Sequence, residues 1–529
     1  NAKTGRYRLC WCPFSRTIDP VWPVPFQCLN IDSTPILGDF TVDLGELLLP
    51  EVPQAGEERE CISGNHCVID GFVGSTGGGL PSNSQIEVKM NQSEVDEFIC
   101  EQNSVNVPGF PNGGESNPAT INGTTFAWGD GETNESIWAE GGTYIMCWKP
   151  AGVGYYAYML GFLTILGPGD EEQEFRCTKS AQCLIQDIVG YGMGDGDYFR
   201  VMQPCAGNLD EDLARENNVM GVTVARMEEG VVEWHWWQFQ AAPAYYSICW
   251  CHRGNECKKP FDFKTTVGTI IVNGPVAGQN RKCDRGQSCE VNGIDGINLM
   301  EGDQAQVLVE CGVGPAVQNM FDSIVTASED EEIPGKLNFF WYYTISSPGI
   351  YRTCWCQASE CNGADAADLG AVETFDVEIG ILTIQGPYNG EYQEVPEAPL
   401  WNQQWDITLK GVNLHVTKKD SRLRIMKECP DRQPPVYSGE EVDGNVRIGQ
   451  PRAGDETGSK YFFEKQDLRS IIPATWKEVE WVNNDYVLCW CGYDCSEVGG
   501  FALKIGDIHV LCEKGSQPIA NGCELCPVG

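Results

Sequence analysis

The chain has 529 residues, enough for four or five cores of about 100–150 residues and too many for one. Hydrophobic residues make up 42% and aromatics 10%, a globular composition, while 60 Gly and 30 Pro favour short strands and turns over long helices. Asp plus Glu number 75 against 36 Lys plus Arg, and the resulting net charge of −39 repels phosphate backbones, which excludes nucleic acid as a partner.

In chain order, residues 1–50 carry Tyr7, Cys10, Trp11 and Cys12 followed by Phe40 and Gly45. The same string recurs as Tyr144-Cys147-Trp148 with Tyr156 and Gly161, and as Tyr246-Cys249-Trp250-Cys251 with Phe263 and Gly268. It returns as Tyr351-Cys354-Trp355-Cys356 with Phe375 and Gly380, and as Tyr486-Cys489-Trp490-Cys491 with Phe501 and Gly506. Such periodicity marks a repeat architecture. Three copies close on Gly167-Pro168, Gly274-Pro275 and Gly386-Pro387, where Pro is expected to end a strand because it has no donor for a ladder. The predicted domains are therefore 1–50 (the closing half of a repeat), 51–168, 169–275, 276–387, 388–512 and 513–529 (the start of a further one), a window on a longer protein.

Twenty-six Cys point to an oxidising compartment, hence an extracellular or cell-surface protein. The five scattered His argue against zinc clusters. The sequons at Asn91, Asn122 and Asn134 agree with a secretory route and are candidate glycosylation sites. No apolar run reaches the roughly 20 residues that span a bilayer, so no transmembrane segment is expected in this window.

Differences between copies suggest how the Cys pair. Where Cys-Trp-Cys becomes Cys147-Trp148-Lys149, the Cys that elsewhere follows closely is also missing, which predicts Cys12–Cys28, Cys251–Cys257, Cys356–Cys361 and Cys491–Cys495. The Cys-x5-Cys element, absent as a pair from 388–512, predicts Cys61–Cys67, Cys177–Cys183 and Cys283–Cys289. The remainder gives the long bonds Cys100–Cys147, Cys205–Cys249, Cys311–Cys354 and Cys429–Cys489, leaving Cys10 and one of Cys512, Cys523 and Cys526 without partners.

Around each anchor the residues alternate. Leu337, Phe339, Trp341 and Tyr343 share one parity, Ser347-Pro348-Gly349 turns, and Tyr351 to Cys354 runs on, which reads as a β-hairpin. Gly380 to Ile384 and Ala305 to Cys311 read as further strands. Short strands in units near 105 residues indicate an all-β fold: tandem disulfide-rich Ig-like β-sandwich domains in a rod-like array. Gly142 to Cys147 and Gly349 to Cys354 resemble the penultimate strand of immunoglobulin-like repeats of the filamin or IPT/TIG kind. The Cys-Trp-Cys pattern as a whole resembles the cysteine-rich modular surface proteins of alveolate protists. That resemblance implies a filament, coat, flagellar hair (mastigoneme) or adhesive role and carries over no catalytic residue.

Searches for chemistry return little. There is no His-Glu-x-x-His, Walker loop or Gly-x-Ser-x-Gly, and no enzyme is expected. Gly74 to Gly79 reads as a loop, and Cys523-x-x-Cys526 as structural despite its redox spacing. No cofactor is expected; Ca2+ is the alternative, at Gly190 to Asp197 or at Glu329 to Glu332. Trp234-His235-Trp236-Trp237 fits core packing better than stacking on sugar. Lys418, Lys419, Arg422, Arg424 and Lys427 form a basic stretch that could meet an acidic neighbour. Two functions follow: a structural protein whose partners are copies of itself or other surface and filament proteins, or an adhesin that binds a protein or glycan through exposed loops.

Overall fold

The computed structural model describes residues 5–11, 42–49, 51–75, 80–90, 100, 107–120, 123–129, 135–152, 154, 156, 158–169, 173–207, 209–228, 231–318, 320, 323–342, 344, 347–361, 374–393, 405–414, 422–426, 428–429, 447–451, 460–463, 485–492, 498–509, 512, 514–519 and 522–527. The chain divides into two compact units, one of Asn1–Phe175, Cys183–Trp237 and Tyr245–Ile270, the other of Arg176–Gln182, Gln238–Ala244 and Ile271–Gly529. Both are all-β, Ig-like and disulfide-rich.

In the first unit, β1 (Gly5–Trp11) pairs antiparallel with β2 (Val42–Leu49) as a separate two-stranded sheet. A sandwich follows. One sheet holds β3 (Glu57–Ile62), β5 (Gln85–Met90), β7 (Gly142–Lys149) and β8 (Tyr158–Pro168); the other pairs β4 (Cys67–Ile69) with β6 (Phe126–Trp128). Tyr144, Met146, Trp148, Leu163 and Ile165 of the first sheet meet Phe126 and Trp128 of the second in one core.

Side chains on a strand alternate faces, and this explains the recurring motif. Trp148 turns into the sandwich, whereas Ile145 and Cys147 face the other way, where Cys100, Tyr156 and Phe162 form a second cluster. In Cys-Trp-Cys the two sulfurs therefore share the outer face and the indole takes the core. The tyrosine closes the corner: Tyr144 Oη donates to the Glu140 carbonyl (2.9 Å), and Tyr351 Oη to that of Ser347 (2.8 Å).

The same unit contains β10 (Cys183–Ile185), β11 (Tyr198–Met202), β12 (Val231–Trp236) and β13 (Tyr245–Cys251). Between them, β9 (Gln173–Thr178) and β14 (Thr265–Pro275) continue the pattern, β14 lying beside β13. A short α1 (Glu211–Glu216), capped by Asp210, sits where no helix was expected from the sequence.

The second unit repeats the plan with β15 (Arg281–Asp284), β16 (Cys289–Ile294), β17 (Gln304–Leu308), β18 (Leu337–Trp341), β19 (Gly349–Cys356) and β20 (Val377–Gln393). It goes on to β21 (Arg422–Met426), β22 (Asp485–Cys491) and β23 (Leu503–His509), followed by an antiparallel pair, Ser516–Ile519 with Gly522–Leu525.

Two readings of the sequence are corrected here. The hairpin expected from Leu337 to Cys354 is instead an arch: β18 pairs with β16, while β19 pairs with β17 and β20, and Trp341 faces Trp355 across one core. Nor does Gly-Pro always end a strand: β8 and β14 do stop at Pro168 and Pro275, but β20 continues six residues beyond Pro387. Pro168 pairs with Gly190 and Pro275 with Gly296 at the end of the ladder, where a missing N–H is tolerated.

Disulfides join Cys61 to Cys67, Cys100 to Cys147, Cys205 to Cys249, Cys251 to Cys257, Cys283 to Cys289, Cys311 to Cys354, Cys356 to Cys361 and Cys429 to Cys489. Cys177, Cys183, Cys491 and Cys512 are also oxidised, whereas Cys10 and Cys526 are free. Cys12, Cys28, Cys495 and the sequon residues Asn91, Asn122 and Asn134 lie outside the described residues.

Candidate functional site

The feature built most often is a joint between consecutive copies. Ser63 N–H donates to the Leu166 carbonyl (2.9 Å), Lys179 N–H to that of Asn273 (3.0 Å) and Arg285 N–H to that of Gln385 (2.8 Å). In each case the residue follows the first Cys of a Cys-x5-Cys loop by two, and the acceptor precedes the Gly of Gly-Pro by one. That glycine then lies against the indole of the next copy. A Cβ would stand 3.5 Å from the Trp250 ring at Gly167, 3.5 Å from Trp355 at Gly274 and 3.3 Å from Trp490 at Gly386. Gly167 and Trp250 lie in the first unit, the other two pairs in the second. At the third joint Arg285 Nη1 also donates to the Pro387 carbonyl (2.6 Å).

Carboxylates brace the turn that follows the Cys-Trp-Cys strand. Asp303, fully buried, accepts from Trp355 Nε1 (3.1 Å), Ala358 N–H (3.0 Å) and Met300 N–H (3.1 Å). Burial raises its carboxyl above the usual range against those bonds. Asp197 stands at the same place in the preceding copy, accepting from Gly194 N–H (3.0 Å) and Arg253 N–H (2.9 Å). Its Oδ1 also accepts from Arg253 Nη1 (3.2 Å), so both carboxylate oxygens hold the turn. In the acidic run, Asp330 caps Glu332 and Ile333 N–H (2.9 and 3.1 Å). No group of three or more His, Cys, Asp or Glu placed to hold a metal occurs among the described residues.

Beside Asp197 sits His252, whose Nδ1 accepts from Gly254 N–H (3.0 Å) and whose buried Nε2 has no partner. Burial holds this imidazole below its ordinary pKa of about 6.5, outweighing the pull of Asp197. The folded state therefore binds the proton less readily than the unfolded one. The stability contributed by the neutral ring is complete above about pH 6.5 and is lost as pH falls through the folded value. A melting curve followed by Trp fluorescence should shift to lower temperature between pH 7 and pH 5, and His252→Gln should flatten that dependence.

Trp234 and Trp236 are core residues, Trp234 stacking on Phe199 at 4.1 Å, while Trp237 is 75% exposed beside His235. Of the basic stretch, Arg424 is buried over the Phe501 ring (3.9 Å) and so is no surface cation; Lys418, Lys419 and Lys427 lie outside the described residues. Arg200 occupies the same register position over Phe263 (4.9 Å). The sequence reading took Arg424 for a surface cation and did not single out Arg200, although Phe199-Arg200-Val201-Met202 and Leu423-Arg424-Ile425-Met426 share a recognisable alternation. In the copy that lacks the clip, Lys149 takes the place of the Cys, bonding Glu115 (3.1 Å) and lying over Tyr156 (4.6 Å).

One cavity stands out. A groove of about 900 Å³ in the first unit is lined by Asn65, His66, Asn112, Trp138, Phe261 and Lys264, among others. The corresponding space beside Lys179, Trp355 and Gln357 in the second unit is about 170 Å³. The wider groove combines aromatic faces with carboxamides and charges of both signs, a lining suited to a neutral polar ligand.

No known protein family matches the chain, and no curated protein matches it. Solved structures do. The chain is similar to the N-terminal eight Ig domains of Down Syndrome Cell Adhesion Molecule isoform 1.30.30, at 10% identity and TM-score 0.18 over 88% of this chain and 48% of that one. It is similar to the full extracellular region of Plexin A4, at 8% identity and TM-score 0.18 over 84% of this chain and 37% of that one. It is also similar to SGBP-B of the Bacteroides ovatus mixed-linkage glucan utilization locus, solved in complex with a mixed-linkage heptasaccharide, at 10% identity and TM-score 0.15 over 72% of this chain and 81% of that one. The chain thus spans about half the length of the first of these. No described helix is long and apolar enough to cross a membrane.

Proposed function

We propose that this chain is a segment of a non-enzymatic extracellular structural protein, with its copies at 51–168, 169–275, 276–387 and 388–512 acting as building units of a filament, a mastigoneme-like flagellar hair or a coat. The cysteine-rich modular surface proteins of alveolate protists, which the sequence resembles, are the family this reading favours. The observation that carries it is the joint. The same hydrogen bond and the same glycine-on-indole contact made three times is what repeated building material requires, and a catalytic site would need no such repetition. The disulfides favour an oxidising compartment. The partners are other copies of the chain or further surface and filament proteins.

The groove favours a second reading, an adhesin that takes a neutral glycan. Negative-stain images of secreted, fully oxidised protein, combined with a panel of neutral oligosaccharides, separate the two. Ordered polymers are the expected result. Dispersed particles that bind one sugar of the panel, and lose it in Trp138→Ala, would replace the structural reading with the adhesive one.

A further inference from the structure

We propose that the copies at 51–168 and 276–387 are tension-bearing elements, in which the contact between the first and last strands is the clamp that resists pulling along the chain. The inference rests on the structural reading above for the source of the load, and on strand geometry alone for how the load is carried.

In the first unit β3 and β8 run parallel, pairing from Glu57↔Gly161 to Ile62↔Leu166. In the second, β15 and β20 run parallel, from Arg281↔Leu382 to Asp284↔Gln385. The chain enters each copy at the start of the first of these strands and leaves at the end of the second. Tension pulls two parallel neighbours in opposite directions along their own axes. Every ladder bond is then loaded together, in shear. An antiparallel pair pulled from adjacent ends would open one bond at a time.

Both ends of the clamp are extended by further bonds. Gly56 N–H donates to the Leu160 carbonyl (2.7 Å) and Ser63 N–H to that of Leu166 (2.9 Å). In the second unit Gln279 N–H donates to the Ile379 carbonyl (3.0 Å), and Arg285 reaches both Gln385 and Pro387 (2.8 and 2.6 Å). Leu163, Ile165, Leu382 and Ile384 are buried, so water has poor access to these ladders. Beyond the last ladder pair the backbone stays extended as far as Pro168, where β8 ends, and in β20 past Pro387 to Gln393.

The disulfides set how far a broken copy can lengthen. Within 276–387 the bonds Cys283–Cys289, Cys311–Cys354 and Cys356–Cys361 close stretches of 6, 43 and 5 residues. At ~3.5 Å per residue, rupture releases about 20 nm with the bonds closed and about 39 nm once they are reduced, before the folded end-to-end distance is subtracted. Oxidation thus halves the length that a single failure adds.

The test is single-molecule pulling on the full chain held by its two ends. The copies at 51–168 and 276–387 are each expected to break in one step, that of 276–387 at about 20 nm, roughly doubling after reduction. In Arg281→Pro/Lys282→Pro, neighbouring positions ensure that one lost N–H faces β20, and one rupture force should fall several-fold. The same pair of prolines at Arg226 and Met227, on a short antiparallel edge strand, should leave every rupture force unchanged. Disulfide mapping verifies that each variant folds; if the clamp variant does not, the wild-type trace decides. Length released in a series of short, low-force steps overturns the proposal, as does a folded clamp variant that breaks like wild type. Filament formation is scored separately by imaging, so loss of the structural reading and loss of the clamp are distinct results.

Discussion

Gly161→Ala is expected to prevent the sandwich of residues 51–168 from closing, whereas Gly45→Ala, at the corresponding position of the β1–β2 sheet, should be mild. A Cβ on Gly161 would lie 1.9 Å from the carbonyl oxygen and 2.7 Å from the nitrogen of Glu57, both backbone atoms of the strand that crosses it in parallel. No rotamer relieves such a clash. The φ of Gly161 is +153°, a value L residues rarely adopt, which adds strain of its own. Clash and strain together cost about 4 kcal/mol or more, a large part of the stability of one domain. Gly45 has φ +124° and nothing within 4 Å of its Cβ position, leaving conformational strain of about 1–2 kcal/mol. Hydrogen exchange in β3 and the yield of secreted protein with Cys61–Cys67 and Cys100–Cys147 closed would measure both. Equal effects at the two positions would mean that the glycine serves the bulge beside the Cys and not the crossing strand, since β1 and β7 both shift register there.

The recurrence of that glycine was legible in the sequence, but its cause was not. A repeat spaced by cysteines exposes what happens within a strand: alternation identifies the faces of β7 and β19, and with them the all-β, disulfide-rich fold. It is silent about which strand lies alongside. Gly161 is required by Glu57, about a hundred residues upstream, and Gly167 lies against Trp250 in the following copy. Local chemistry also misled. Proline lacks a donor, and β8 and β14 do end at Pro168 and Pro275, yet β20 runs on past Pro387. Ser347-Pro348-Gly349 has the composition of a tight turn, yet the strands on either side bury Trp341 and Trp355 in one core and so must face each other across it. Arg424 read as surface charge because hydrophobicity is assigned by residue type, whereas the ring of Phe501 accepts the guanidinium inside. The groove had no sequence signal, because its walls come from loops far apart in the chain.

Removing the long bond, as Cys205→Ser/Cys249→Ser, should destabilise its copy about twice as much as removing the short clip, as Cys251→Ser/Cys257→Ser. The bonds close loops of 44 and 6 residues. In the chain-entropy view they restrict the unfolded ensemble by about 4 and about 2 kcal/mol respectively. Packing widens the gap. Cys249 is fully buried in the outer cluster with Met202, Ala206 and Phe263, beneath the ring on which Arg200 rests. A serine hydroxyl there needs a partner that the apolar neighbours do not supply, and the buried guanidinium loses part of its enclosure. The clip anchors only the turn that follows β13, a turn already braced by Asp197 through Arg253 N–H (2.9 Å). Denaturant melts of the two double variants, followed by Trp fluorescence, should place the long-bond variant at the lower midpoint. The order would reverse if the turn, and not the link between distant strands, held this layer closed.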